Sequence, residues 1–140
     1  MTSTPRKLPT RLLIVGAGEA GRLLAEQMRR EPELGLLPLG FVDDDPQLIG
    51  TEVDGLPVVD DTRHLVEAAD RLAAQEILIS IPSAQGAVIR RLVLLCKRAR
   101  LPFRIVPGLR AIIEGDVNFK QVRTVSPEDL LGRESVRFQV

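Results

Sequence analysis

The fold of this chain is decided by the stretch Arg11-Leu12-Leu13-Ile14-Val15-Gly16-Ala17-Gly18-Glu19-Ala20-Gly21. Its apolar run predicts a buried strand, and residues 22–28, after the glycines, have the apolar spacing of a helix. A strand, a glycine turn and a helix in this order are typical of a dinucleotide-binding loop. Gly16 permits the tight turn, Gly18 lets the backbone approach a pyrophosphate, and Gly21 lets the helix pack close to the strand.

The glycine turn predicts a phosphate-binding site. Free N–H groups at the N-terminus of the helix, together with the helix dipole, favour negative charge at this point. The candidate cofactor-binding residues of the turn are Gly16, Ala17, Gly18, Glu19, Ala20 and Gly21. The alternative is a glycine turn that joins a strand to a helix and binds nothing.

An acidic residue stands where this motif expects one, at the end of the second predicted strand. Asp43 follows Gly21 by 22 residues. A carboxylate there accepts hydrogen bonds from both ribose hydroxyls of an adenosine and repels a 2′-phosphate, so we expect NAD-like ligands rather than NADP. Asp43 or Asp44 is the candidate for this contact. The alternative is that Asp44-Asp45-Pro46 is only a polar turn.

A later apolar run, residues 76–82, is typical of a parallel strand that is covered on both faces. Ligands of open α/β sheets bind beyond the carboxyl ends of the strands. We therefore expect Pro82 and Ser83, at the end of this run, to line the ligand crevice. Ser83 is alternatively, or in addition, the N-cap of the next helix.

Strands and helices alternate along the chain at the spacing of a doubly wound sheet. Helices are predicted at about 19–30, 62–71 and 84–98, and strands at about 11–15, 36–43, 57–59, 76–82, 102–107 and 118–125. The Asp54-Gly55 turn favours a small hairpin or an edge strand from the short extended segments on either side of it. Right-handed crossovers give the strand order 3-2-1-4-5, with an extra element at either edge. We predict an α/β fold, a Rossmann-like doubly wound parallel sheet in three layers, forming a single domain over residues 11–125 after a flexible lead-in over 1–10.

Composition limits the classes of function. The 140 residues carry no formal net charge, so no overall field attracts nucleic acid. The sequence has no apolar run of membrane-spanning length, no signal peptide and a single cysteine, which together predict a cytoplasmic protein without a disulfide or a cysteine metal site. Since the chain has no Tyr and one His, we expect neither a Tyr–Lys proton-transfer pair nor a Ser–His–Asp site. No residue is a candidate for catalysis.

Motifs along almost the whole chain resemble one known family. They are Leu13–Gly21, Gly40–Pro46, Ile49-Gly50, Gly55–Val58, Ile79–Ala84, Val106–Gly108 and Asp129–Arg133. In this order they resemble the CoA-binding-like Rossmann domain of membrane-anchored polysaccharide biosynthesis proteins, the nucleotide-diphosphate-sugar epimerases/4,6-dehydratases. The resemblance extends over nearly all of residues 11–137.

The resemblance implies a regulatory or assembly role beside nucleotide-sugar chemistry. In such proteins a membrane anchor precedes this domain, and a catalytic short-chain dehydrogenase/reductase domain follows the Asp-Leu-Leu-Gly-Arg segment. The resemblance therefore implies an excised or free-standing module whose tail, residues 126–140, leads towards a missing catalytic domain. The full-length parent would lie at the cytoplasmic face of the inner membrane. The family's catalytic residues have no matching position here.

Several functions remain open at this point. The leading hypothesis is a domain that binds NAD(H), with CoA, another adenine nucleotide or a nucleotide sugar as alternative ligands. A second hypothesis is a structural or dimerisation module with a vestigial pocket, in which the apolar Leu130-Leu131 pair meets a partner surface in a homo-oligomer. A third is the redox-sensing domain of a repressor, which has a similar core. It ranks last because the sequence offers no helix-turn-helix and no basic arm.

Overall fold

The computed structural model of the protein describes residues 8–81, 86–106 and 123–125. The strands in these ranges form one seven-stranded sheet. The strand order is β3-β4-β2-β1-β5-β6-β7. The strands are β1 (Thr10–Val15), β2 (Leu36–Val42), β3 (Glu52–Val53), β4 (Leu56–Asp60), β5 (Glu76–Ile79), β6 (Phe103–Ile105) and β7 (Arg123–Val125).

The sheet is parallel in its interior and antiparallel at both edges. Strands β4, β2, β1, β5 and β6 run parallel, whereas β3 and β7 pair antiparallel with β4 and β6. The predicted 3-2-1-4-5 order with an extra element at either edge is therefore confirmed. The chain adds strands on one side of β1 and then on the other, so the strand order reverses at β1. The glycine turn follows β1 at its carboxyl end, where ligands of such sheets bind.

Within the described residues, three helices cover the two faces of the sheet. They are α1 (Glu19–Arg30), α2 (Leu65–Leu72) and α3 (Gly86–Ala99). The apolar side of α1, with Leu24, Ala25 and Met28, packs on one face, while α2 and α3 pack on the other face. The three predicted layers are confirmed. Among the described residues, none of these helices combines the length and the apolar character that a membrane crossing requires.

The predicted hairpin at Asp54-Gly55 is present between β3 and β4. Both residues have positive φ, 53° and 80°, as a two-residue type I′ turn requires. The Arg29 guanidinium donates to the Asp54 carbonyl at 2.7 Å, so α1 and the hairpin are joined.

Some boundaries differ from the predicted ones. Strand β2 ends at Val42, which leaves Asp43 as the first residue beyond it. The helix predicted after Asp61 begins as a 3-10 turn, Thr62–His64, because the Asp61 carboxylate caps the Arg63 N–H and the His64 N–H bonds back to the Asp61 carbonyl. The tail, residues 126–140, with its Leu130-Leu131 pair, lies outside the described residues.

Candidate nucleotide-binding site

The turn between β1 and α1 is packed too closely for side chains at two of its glycines. Gly16 has φ +105°, and a Cβ there would lie 2.6 Å from the carbonyl oxygen of Ser80. A Cβ on Gly21 would lie 2.0 Å from the carbonyl oxygen of Gly16. The tight turn predicted at Gly16 and the close packing predicted at Gly21 are both confirmed.

Gly18 occupies the open side of the same turn. Among the described residues, a Cβ at this position would meet no heavy atom within 4 Å. Gly18 is the N-cap of α1, without a side-chain hydrogen bond to the helix. In the part of the chain that the structure describes, the backbone N–H groups of Gly18, Glu19, Ala20 and Gly21 have no hydrogen-bond acceptor. These donors lie at the positive end of a 12-residue helix.

Asp43 lies directly beside the glycine turn. Its Oδ2 accepts the Ala17 N–H at 2.7 Å, and its Oδ1 accepts the Asp45 N–H at 2.8 Å. The Ala17 N–H is therefore bound within the protein, and the donors without a partner begin at Gly18. A carboxylate has about four acceptor positions, so two remain on Asp43 for a ligand.

Asp44 makes contacts in another direction. It accepts hydrogen bonds from the N–H and the Oγ1–H of Thr62, both at 2.8 Å. Arg91 of α3 donates to Thr62 Oγ1 at 3.2 Å, and its Nη2 lies 3.6 Å from Asp44 Oδ2. Of the two candidates for the ribose contact, only Asp43 is hydrogen-bonded to the glycine turn. Asp44 joins the end of β2 to the turn before α2 and to α3.

Ser80 forms the floor beneath the glycine turn. It follows β5, is 3% exposed, and its Oγ lies 2.9 Å from the position of a Cβ on Gly21. Among the described residues, this hydroxyl has no hydrogen-bond partner. Buried hydroxyls usually have a partner, so the orphaned Oγ marks a polar position at the base of the turn. Ser80 was not among the residues predicted for this site, and the two that were predicted at this strand end, Pro82 and Ser83, lie outside the described residues.

An exposed charged cluster surrounds the turn before α2. His64 Nδ1 lies 3.0 Å from Asp61 Oδ1 and 3.1 Å from Asp60 Oδ1, and Arg63 Nη2 lies 2.9 Å from Asp61 Oδ2. The hydrogen bond from Arg63 lowers the pKa of Asp61 to about 2. Asp61 and then Asp60 raise the pKa of His64. None of these residues was predicted as a site residue from the sequence.

His64 gives the domain a pH-dependent contribution to stability. Because its pKa is raised in the folded state, the stabilisation is complete below the unfolded-state pKa and is lost as the pH rises through the folded-state pKa. We expect His64→Gln to lower the free energy of unfolding at about pH 5.5 and to have less effect at about pH 8.5. Urea unfolding at both pH values measures this difference, and equal effects would contradict it.

Cys96 is buried in α3, and burial raises the pKa of its thiol to about 12. The reactive thiolate is therefore scarce near neutral pH. Cys96 therefore packs as a small apolar residue of the core.

Comparison with protein families and curated proteins gives consistent relatives. The family model described as CoA-binding domain matches residues 5–107. The chain is 34% identical over 127 residues to "Probable polysaccharide biosynthesis protein EpsC" of Bacillus subtilis (strain 168), which covers 91% of this chain and 21% of the relative. It is 26% identical over 132 residues to "Capsular polysaccharide biosynthesis protein CapD" of Staphylococcus aureus, covering 91% and 22%. The chain thus spans about a fifth of the length of these relatives.

Solved structures share the fold. A crystal structure named UDP-D-quinovosamine 4-dehydrogenase from Vibrio fischeri matches with a TM-score of 0.72 and 26% identity, over 89% of this chain and 99% of that chain. RSP, a Rex-family repressor, matches in its β-NADH complex with a TM-score of 0.55 and 22% identity, over 66% of this chain and 43% of that chain. This second match shows a common fold alone. With the family model covering most of its length, the chain belongs to the CoA-binding domain family and is related to the polysaccharide biosynthesis proteins EpsC and CapD.

Proposed function

We propose that this chain is a nucleotide-binding domain, with NAD(H) as its first ligand, that regulates or assembles a nucleotide-sugar epimerase or dehydratase of polysaccharide biosynthesis. The observation that carries the proposal is the first turn of α1. Four backbone N–H groups there have no acceptor among the described residues, and the space above Gly18 is open. A diphosphate supplies the acceptors and the negative charge that such a helix end favours.

Asp43 supports a nucleoside diphosphate rather than an isolated phosphate. Its carboxylate is hydrogen-bonded to Ala17 within the turn and keeps acceptor positions for ribose hydroxyls. A phosphate group at Gly18 and a ribose at Asp43 lie in the order that a dinucleotide presents them. NAD, named in the RSP complexes, contains both parts. CoA, another adenine nucleotide or a nucleotide sugar is the alternative.

Binding without catalysis is the role that the described residues favour. His64 is exposed and paired with Asp60 and Asp61, while Cys96 is buried with a raised pKa. Among the described residues, neither side chain forms a hydrogen bond with the glycine turn. Because the chain spans about a fifth of EpsC and CapD, we infer that the chemistry of such proteins belongs to the remainder of their chains.

Titration calorimetry with NAD, NADH, ADP, CoA and a UDP-sugar tests this proposal. We expect the wild-type protein to bind NAD or NADH, and Gly18→Val to weaken binding by about tenfold or more because the new side chain occupies the phosphate position. The midpoint of urea unfolding should change little, since a Cβ at Gly18 meets no neighbour.

The matched control is Glu67→Val. Glu67 is an exposed residue in the first turn of α2, a helix on the other face of the sheet from α1, so this variant should bind like the wild type. If the wild-type protein gives no heat with any of these nucleotides, the proposed function is wrong.

A further inference from the structure

The Asp43 carboxylate is fixed at the mouth of the candidate site by two separate backbone segments. Oδ2 accepts from Ala17 in the glycine turn, and Oδ1 accepts from Asp45 in the loop after β2. Asp43 is half-buried, which limits the movement of its side chain. A group that approaches from the glycine turn therefore meets an acceptor that cannot easily turn away.

The residues next to Asp43 add negative charge. Asp44 and Asp45 follow it and are exposed. Arg91 of α3 forms an ion pair with Asp44 and donates a hydrogen bond to Thr62. Within residues 8–81 and 86–106, the ion pairs reach neither Asp43 nor Asp45. Within these described residues, the ribose side of the site is thus rich in hydrogen-bond acceptors, and no ion pair brings a cation to Asp43.

We propose that this site selects an adenine nucleotide whose ribose has free 2′- and 3′-hydroxyls, and that it rejects the 3′-phosphorylated ribose of coenzyme A. The inference rests on the proposed function, in which the glycine turn holds the diphosphate. A ribose diol donates two hydrogen bonds to a carboxylate. A 3′-phosphate replaces one donor with acceptor oxygens and brings negative charge against the charge of Asp43. Discrimination then comes from repulsion as well as from the lost bond.

Coenzyme A and dephospho-coenzyme A form a matched pair of probes because they differ only in the 3′-phosphate. We expect calorimetry to show that dephospho-coenzyme A binds about tenfold or more tightly than coenzyme A. ADP serves as the reference for the shared part. Equal affinities, or tighter binding of coenzyme A, would overturn this inference and leave the proposed function standing. If ADP, NAD and both coenzymes fail to bind, the site does not take adenine nucleotides and the inference is wrong. Binding of a UDP-sugar would then show that the proposed nucleotide binding still holds, and its failure to bind would show that it does not.

Two further measurements assign the discrimination to Asp43. Asp43→Asn should bring the affinity ratio of the two coenzymes towards one, whereas Asp45→Asn, the matched change two residues away, should alter it less. Raising the salt from about 0.05 M to about 0.5 M should also reduce the wild-type ratio, because exposed charges are screened. The salt series needs no variant, so it remains decisive if Asp43→Asn disturbs the fold. A ratio that is insensitive to both changes would contradict a charge-based selection.

Discussion

Gly21→Ala is expected to lower the free energy of unfolding by about 2–4 kcal/mol and to abolish nucleotide binding. The added Cβ would lie 2.0 Å from the carbonyl oxygen of Gly16 and 2.9 Å from Ser80 Oγ. The first neighbour cannot yield easily, because Gly16 already has φ +105° and donates its N–H to the Val42 carbonyl at 2.8 Å. Helix α1 must therefore move away from β1. Urea unfolding followed by circular dichroism measures the loss.

The same chemical change three residues earlier is the control. At Gly18 a Cβ would meet no atom of the described part of the chain within 4 Å, and φ is −78°, which alanine adopts without strain. We expect Gly18→Ala to change the free energy of unfolding by less than about 1 kcal/mol. Similar losses of stability for the Gly21 and Gly18 variants would mean that close packing does not explain the requirement for Gly21.

Glu76→Leu is expected to destabilise the domain by about 2–4 kcal/mol. The Glu76 carboxylate pairs with the Arg104 guanidinium across β5 and β6, and the two side chains are 8% and 18% exposed. Loss of the carboxylate would leave a largely buried guanidinium without its anion. Arg104→Met should be similarly unfavourable, because it leaves the carboxylate unpaired.

The double variant Glu76→Leu/Arg104→Met separates the pair from its surroundings. We expect its loss of free energy of unfolding to be smaller than the sum of the losses of the two single variants, since no unpaired charge remains buried. Urea unfolding of all four proteins gives the coupling free energy. If the double variant loses as much as the two single variants combined, the side chains do not depend on each other.

Features that rest on local patterns were predictable from the sequence. The apolar run before Gly16 predicted strand β1. The helical spacing after Gly21 predicted α1 with the limits that are observed, Glu19 and Arg30. The strand order followed because right-handed crossovers allow few arrangements of such short units. The positive φ values of Asp54 and Gly55 were implied by a dipeptide that favours type I′ turns.

Contacts between distant residues were not predictable in the same way. Arg91, an exposed residue of α3, donates a hydrogen bond to Thr62, 29 positions earlier in the chain. The hydrogen bond from Ala17 to Asp43 spans 26 positions and depends on how β2 lies beside β1. Helical or strand periodicity contains no information on such pairs. Asp43 was predicted as a candidate for the ribose contact, but its hydrogen bond with the glycine turn is seen only in the folded chain.

The hydrogen bond between Ala17 and Asp43 affects how fast a nucleotide should bind. The turn is held on both sides by contacts within the protein, with the Gly16 N–H donating to the Val42 carbonyl and the Ala17 N–H donating to Asp43. An arriving nucleotide therefore has little backbone entropy to remove, and the donors of α1 are preorganised for it. Association should proceed in a single phase whose rate rises linearly with ligand concentration, without the plateau that a slow rearrangement of the turn would impose. A domain of this kind would report changes in nucleotide concentration without delay.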